Sequence, residues 1–175
     1  GNLGGTSVLA SVPPQPTCLA VGDVNGDGKR DVVVGIASDQ SARVYLDNGS
    51  GGLSAGTVIS SVGATPTSVI VLPPAGGAFM PGSASVGVGT SASKLRIFLN
   101  GALQQELVMA GTVQTVRGGD TGGRSGTDIV TGGKKSASFS MLPAAETGFV
   151  QVLRRQSSGL YAIDRKSTRL NSSHE

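Results

Sequence analysis

The chain has 175 residues, a formal net charge of +3, 28 glycines, 3% aromatic residues and no tryptophan. No apolar run is long enough to span a bilayer, and no basic stripe or aromatic platform accompanies the positive balance, which argues against a nucleic-acid partner. Long amphipathic helical patterns are absent and Gly and Pro recur every few residues, so an all-β chain of short strands and many turns is expected.

The chain opens on Gly1, without an initiator Met or a signal peptide, so the natural N-terminus is expected to lie upstream. Residues 1–15 read as the last strand of a preceding unit. Ser7-Val-Leu-Ala-Ser-Val12, followed by Pro16, parallels Thr57-Val-Ile-Ser-Ser-Val62, followed by Pro66. A first unit over 16–65 then reads as four strands, near Cys18–Val21, Asp31–Ile36, Ala42–Leu46 and Thr57–Ser61. Val and Ile dominate them, and Gly, Asn, Asp and Ser punctuate them. Cys18 is the only cysteine, so no internal disulfide can form. Its apolar neighbours Leu19, Ala20 and Val21 suit a small buried hydrophobe better than a reactive thiol.

Between the first two strands lies Asp23-Val-Asn25-Gly-Asp27-Gly28-Lys29-Arg-Asp31. Counting from Asp23, oxygen-bearing side chains fall at positions one, three, five and nine, with Gly28 at six. Calcium is a hard cation that takes six to eight oxygens at roughly 2.3–2.6 Å, and the EF-hand loop begins with the same spacing. Alternate side chains of a tightly wound loop can point inward together. Lys29, at position seven, would offer its carbonyl and leave its ammonium in water. There is no Glu at position twelve, and strands rather than helices flank the loop. Magnesium suits such a cage less well than calcium. The alternative is an Asx-rich turn, since Asn25-Gly26 and Asp27-Gly28 are ordinary hairpin dipeptides. That alternative leaves Asp23 and Asp31 unexplained.

A second unit, over 66–112, opens with Pro66-Thr67-Ser-Val-Ile-Val, an echo of Pro16-Thr17-Cys-Leu-Ala-Val. Leu95-Arg-Ile-Phe-Leu-Asn100 echoes Ala42-Arg-Val-Tyr-Leu-Asp47. Its loop, 73–81, has no acidic residue and should bind no metal. A third unit, over 113–163, aligns Asp120 with Asp23, Asp128 with Asp31 and Gly132 with Gly35. Its final hairpin lays Leu153–Leu160 on Leu46–Leu53. Gly122 and Arg124 stand where ligands belong, and Arg124 is expected to serve as an internal cation for Asp120 and Asp128. Gly132-Gly-Lys-Lys-Ser136 misses the glycine and the Ser/Thr positions of a phosphate loop and reads as a turn. Asn48-Gly49-Ser50 is a glycosylation sequon, better explained as a hairpin turn. Arg154-Arg155 reads as a solvated face.

The spacing of about fifty residues is that of a four-stranded propeller blade. The expected fold is therefore a partial β-propeller of four-stranded antiparallel blades. A β-sandwich or a parallel β-solenoid would also accept these strands and turns. Three blades leave a ring open, because propellers usually close with roughly four to eight. Residues 164–175 break the pattern: Asp164-Arg-Lys-Ser-Thr-Arg-Leu-Asn-Ser-Ser-His174 reads as a translated sequencing adapter and is set aside. That tail holds the only histidine and carries one unit of the +3 charge, as Arg165, Lys166 and Arg169 against Asp164 and Glu175.

Ala20–Gly35 together with Val44–Leu53 resembles an FG-GAP repeat of the VCBS type. The resemblance implies an integrin-α-like β-propeller whose Asp-rich hairpin loop binds Ca2+. It carries ligand roles onto Asp23, Asn25, Asp27, Lys29 (through its carbonyl) and Asp31, but not onto Gly122 or Arg124. It further implies a secreted or cell-surface location, with adhesion, ligand binding or scaffolding as the role. An extracellular protein or carbohydrate is the implied ligand, and the remaining blades of the same chain are the implied neighbours. No nucleophile–base pair is present, so a non-catalytic module is expected. The alternative is the propeller portion of an extracellular polysaccharide lyase or hydrolase.

Overall fold

The computed structural model describes residues 12–74, 83–119, 127–135 and 148–164. Among them there are twelve strands and no helix. The first sheet contains β1 (Pro16–Gly22), β2 (Asp31–Ile36), β3 (Ser41–Asp47) and β4 (Leu53–Ile59). The second contains β5 (Pro66–Leu72), β6 (Ser85–Thr90), β7 (Lys94–Leu99) and β8 (Ala102–Val108). The third contains β9 (Thr112–Gly119), β10 (Asp128–Lys134), β11 (Gly148–Arg155) and β12 (Tyr161–Ile163). Each sheet is an antiparallel meander in chain order. The first strands pack in series, β1 on β5 and β5 on β9. The architecture is a partial β-propeller with three blades.

Two apolar layers lie between the blades. Val33, Val44, Val69, Val88 and Phe98 are buried between the first and second. Leu72, Leu95, Val113, Val116, Ile129 and Leu153 are buried between the second and third. A third cluster, Val34, Ile36 and Tyr45, lies on the other face of the first blade, with Val12 packed against it. Strand alternation explains this sorting. On β5, Val69 and Val71 face the first blade, and Ile70 and Leu72 face the third.

The first strand of every blade carries one extra residue. The pairing register shifts between Pro16 and Cys18, between Pro66 and Ser68, and opposite Gly132–Gly133, which leaves Thr17, Thr67 and Gln114 unpaired at equivalent places. Thr17 uses this position to join two blades. Its hydroxyl lies 3.2 Å from the carbonyl oxygen of Gly35 in its own blade and 2.6 Å from that of Pro66 in the next. Thr67 repeats the arrangement with the carbonyls of Gly89 (3.0 Å) and Val113. Glycine permits the close approach beside it. A Cβ on Gly35 would stand 2.8 Å from Pro66 Cβ, and one on Gly89 would stand 2.5 Å from Val113 Cγ1.

Four sequence expectations need correction. The fourth strand of the first blade is Leu53–Ile59, not Thr57–Ser61. It is a mostly exposed outer strand, so Ser54, Ala55 and Gly56 hide its alternation. Gly132, Gly133 and Lys134 lie in β10 rather than a turn, because the bulge at Gln114 on the facing strand lets the glycines stay in the ladder. The last hairpin of the third blade is offset by one residue. Asp47 pairs with Leu53 and Arg155 with Tyr161, so Leu153 corresponds to Tyr45 and not to Leu46. A one-residue offset exchanges the two faces of a strand, which is why Leu153 is fully buried. Finally, Arg154 and Arg155 are not simply solvated. Arg154 pairs with Asp128 and Asp164, and Arg155 lies over the Tyr161 ring at 5.8 Å and donates to the Pro73 carbonyl.

Candidate metal centre

The Asp23–Asp31 loop joins β1 to β2 at the end of β1 remote from Thr17. Gly26 and Gly28 both take a φ of 82°, a left-handed conformation that a side chain would strain, and together they wind the loop tightly. The wound backbone aims its N–H groups at the side chains of its own acidic residues. Asp23 Oδ1 accepts from Gly26 N (2.7 Å) and Asp27 N (3.2 Å), and Asp23 Oδ2 accepts from Gly28 N (2.8 Å). Asn25 Oδ1 also accepts from Asp27 N (3.1 Å), while the Asn25 amide donates to Asp27 Oδ2 (3.1 Å). Asp27 Oδ1 accepts from Lys29 N at 2.9 Å.

Asp27 is exposed, and its carboxyl is held below the ordinary carboxylate value. The Lys29 N–H contributes most, followed by the Asn25 amide and the Lys29 charge. The Lys29 ammonium stands 3.7 Å from Asp27 Oδ2, and its stem passes close to Gly49 in the β3–β4 hairpin. In that hairpin Asn48 Oδ1 accepts from Ser50 N and Gly52 N, as expected of a turn.

Asp31 differs from the other three. It is fully buried at the start of β2. Its Oδ2 accepts from Val24 N at 2.9 Å, inside the loop, and its Oδ1 accepts from Asp47 N at 3.0 Å, at the end of β3. One carboxylate therefore fastens the loop to the neighbouring hairpin. The spacing from which Asp31 is expected to be a ligand also suits a strut.

The residues fit calcium in the kind of donor they offer. All are hard oxygens, and Asp23 Oδ1 and Asn25 Oδ1 converge on the single N–H of Asp27. An ionised carboxylate has about four lone-pair sites, so one or two N–H bonds leave room for a cation. The side chains are nevertheless turned to the backbone here. Among the described residues no three His, Cys, Asp or Glu side chains are grouped so as to hold a metal.

The position of Asp31 is filled by Ser85 in the second blade and by Asp128 in the third. Asp128 is buried, and Arg154 Nη1 stands 3.4 Å from its Oδ2. Asp120, Gly122 and Arg124 lie outside the described residues, as does most of the 73–81 loop. Burial pushes the Cys18 thiol up, in keeping with a packing role beside Gly35. Sequence reasoning missed the blade-joining role of Thr17 and Thr67, although the repeated Pro-Thr pair was its visible sign.

Residues 5–72 match the family model of the FG-GAP-like repeat, a span that takes in the whole first blade and the first strand of the second. No curated protein matches the chain.

Proposed function

We propose that the chain is a calcium-binding β-propeller module of a secreted or cell-surface protein, acting in adhesion, ligand binding or scaffolding. One observation carries the reading. The side-chain oxygens of Asp23, Asn25 and Asp27 gather on one exposed, glycine-wound turn, and a buried carboxylate pins that turn to the adjacent hairpin. Asp23, Asn25, Asp27, the Lys29 carbonyl and Asp31 would hold the ion. Bound calcium would supply positive charge to three carboxylates that otherwise repel one another, and would stabilise the fold by linkage. The FG-GAP-like match over residues 5–72 supports the same assignment. No catalytic role is assigned to any residue.

The experiment is a calorimetric titration of the chelator-stripped chain with CaCl2, and with MgCl2 in parallel. Binding with a dissociation constant on the order of 10⁻⁴–10⁻³ M, the range of extracellular calcium modules, is expected. It should be lost in Asp27→Ala and be weaker for magnesium. Absence of calcium binding through the millimolar range, or unchanged binding by Asp27→Ala, would overturn the proposal.

A further inference from the structure

Among the described residues, Asn precedes Gly at three connections. They are Asn25-Gly26 between β1 and β2, Asn48-Gly49 between β3 and β4, and Asn100-Gly101 between β7 and β8. Asn is a chemically labile residue. A following Gly, having no Cβ, lets its main-chain nitrogen approach the Asn side-chain carbonyl carbon. The approach needs a Gly N–H that is not held elsewhere and an Asn amide able to turn toward it.

The first two pairs are laced into their loops. Gly26 N donates to Asp23 Oδ1 at 2.7 Å, and both ends of the Asn25 amide are bonded to Asp27. Gly49 N donates to Asp47 Oδ1 at 2.7 Å, and Asn48 Oδ1 accepts from Ser50 N and Gly52 N. Asn100-Gly101 differs from both. It is the two-residue tip of a hairpin whose last paired residues are Leu99 and Ala102. Asn100 takes a φ of 50° and Gly101 a φ of 81°, the signs of a type I′ turn. The hydrogen bond of such a turn joins the residues on either side of the tip, so the tip's own N–H groups are spared. Among the described residues neither Gly101 N nor the Asn100 side chain makes a hydrogen bond, and Asn100 is exposed.

We infer that Asn100 is a site of spontaneous deamidation, set apart from Asn25 and Asn48 by the fold. Gly101 N gives its proton to water and attacks Asn100 Cγ. The N–Cγ bond forms, the Cγ–Nδ2 bond breaks, and Nδ2 takes a proton from water and leaves as ammonia. A second water opens the five-membered imide. Attack at Cγ gives aspartate, and attack at the Asn100 main-chain carbonyl carbon gives isoaspartate. At Asn25 and Asn48 a hydrogen bond to a carboxylate must open first, which lowers the reactive population about ten- to a hundred-fold.

The product changes the blade. Isoaspartate adds a methylene to the main chain between Leu99 and Ala102, where a type I′ tip holds two ordinary residues. The tip also rests on the first blade, since a Cβ on Gly101 would stand 2.9 Å from Thr57 Cγ2 in β4. Isoaspartate therefore loosens the end of the β7–β8 hairpin and its contact with Thr57.

The test is peptide mapping by mass spectrometry on the full chain, aged at mildly alkaline pH. Chelator is present throughout, so that no metal protects Asn25. In the folded chain the Asn100 peptide should convert at least about tenfold faster than the Asn25 and Asn48 peptides. In urea the three should convert at similar rates. The isoaspartate form, separated by its added charge, should exchange the Leu99 and Ala102 amides faster than the unmodified chain. An Asn100 rate no higher than the other two would overturn the inference. So would the same ranking in urea, which would assign the difference to local sequence, or unchanged exchange at Leu99 and Ala102.

Discussion

Replacing Asp31 tests whether its buried carboxylate is a strut in its own right. The side chain is fully buried and accepts two backbone N–H groups, Val24 N at 2.9 Å and Asp47 N at 3.0 Å. A hydrogen bond to a charged group contributes about 1.5–3 kcal/mol, and a buried donor left without a partner costs about 1–3 kcal/mol. Both bonds are only part-buried, so water can reach one or both N–H groups after truncation. Asp31→Ala should therefore lose about 2–4 kcal/mol, a large share of a typical folding free energy of about 5–15 kcal/mol. Asp31→Asn keeps one acceptor but opposes its NH2 to the other N–H, so it should lose roughly half as much. The assay is urea unfolding in excess chelator, so that no metal contributes. With a slope of about 1–3 kcal/mol per molar, the midpoint for Asp31→Ala should fall by on the order of 1–2 M without a change of slope. The Val24 and Asp47 amides should exchange faster than the rest of the first blade. A loss below about 0.5 kcal/mol, the scale of an ordinary surface substitution, would refute the strut.

Gly89→Ala should cost about 1–3 kcal/mol by overpacking, because its Cβ would stand 2.5 Å from Val113 Cγ1. Gly132→Ala, at the equivalent place on the third blade, meets Thr115 Cγ2 at 3.2 Å among the described residues and should lose markedly less in the same urea experiment. Glu106 accepts from Lys94 and Arg96, the contacts that hold its carboxyl below the ordinary value of 4.5. A lowered folded value means that the stability it contributes is complete above the unfolded value and is lost as pH falls through the folded one. Carboxyl NMR should show Glu106 titrating below pH 4.5, and Glu106→Gln should flatten the acid side of the stability profile.

The repeat frame was legible because strands advertise themselves by Val, Ile and Gly at recurring offsets. The echo of Ala42–Asp47 in Leu95–Asn100 agrees with the pairing registers. Other features were hidden for definite reasons. Leu53–Ile59 is an outer strand with little to bury, so its composition is that of a loop. Apolar identity aligned Leu153 with Leu46, but the ladder aligns it with Tyr45, and only the pairing decides which face a residue takes. Asp31 was read by its spacing alone. A carboxylate nine places along a loop can serve a cation, two N–H groups, or both, and its burial distinguishes the strut.

The blade contact and the acidic loop sit at opposite ends of the same strand. Thr17 and Asp23 are six residues apart, and at about 3.3 Å per residue that is about 20 Å. The separation lets one feature decay while the other persists. In the second blade Ser85 replaces the buried carboxylate, yet Thr67 and Gly89 keep the full contact with the third blade. In the third blade the counterpart Asp128 is kept beside Arg154, which stands where the first blade has Leu46. A cation delivered by the chain itself then answers a carboxylate that Val24 N and Asp47 N answer in the first blade. Stacking is required of every blade, because none can bury its faces alone. A loop that tethers one hairpin is required only locally. The Asp23–Asp31 loop can thus be confined to one blade without weakening the arc that presents it.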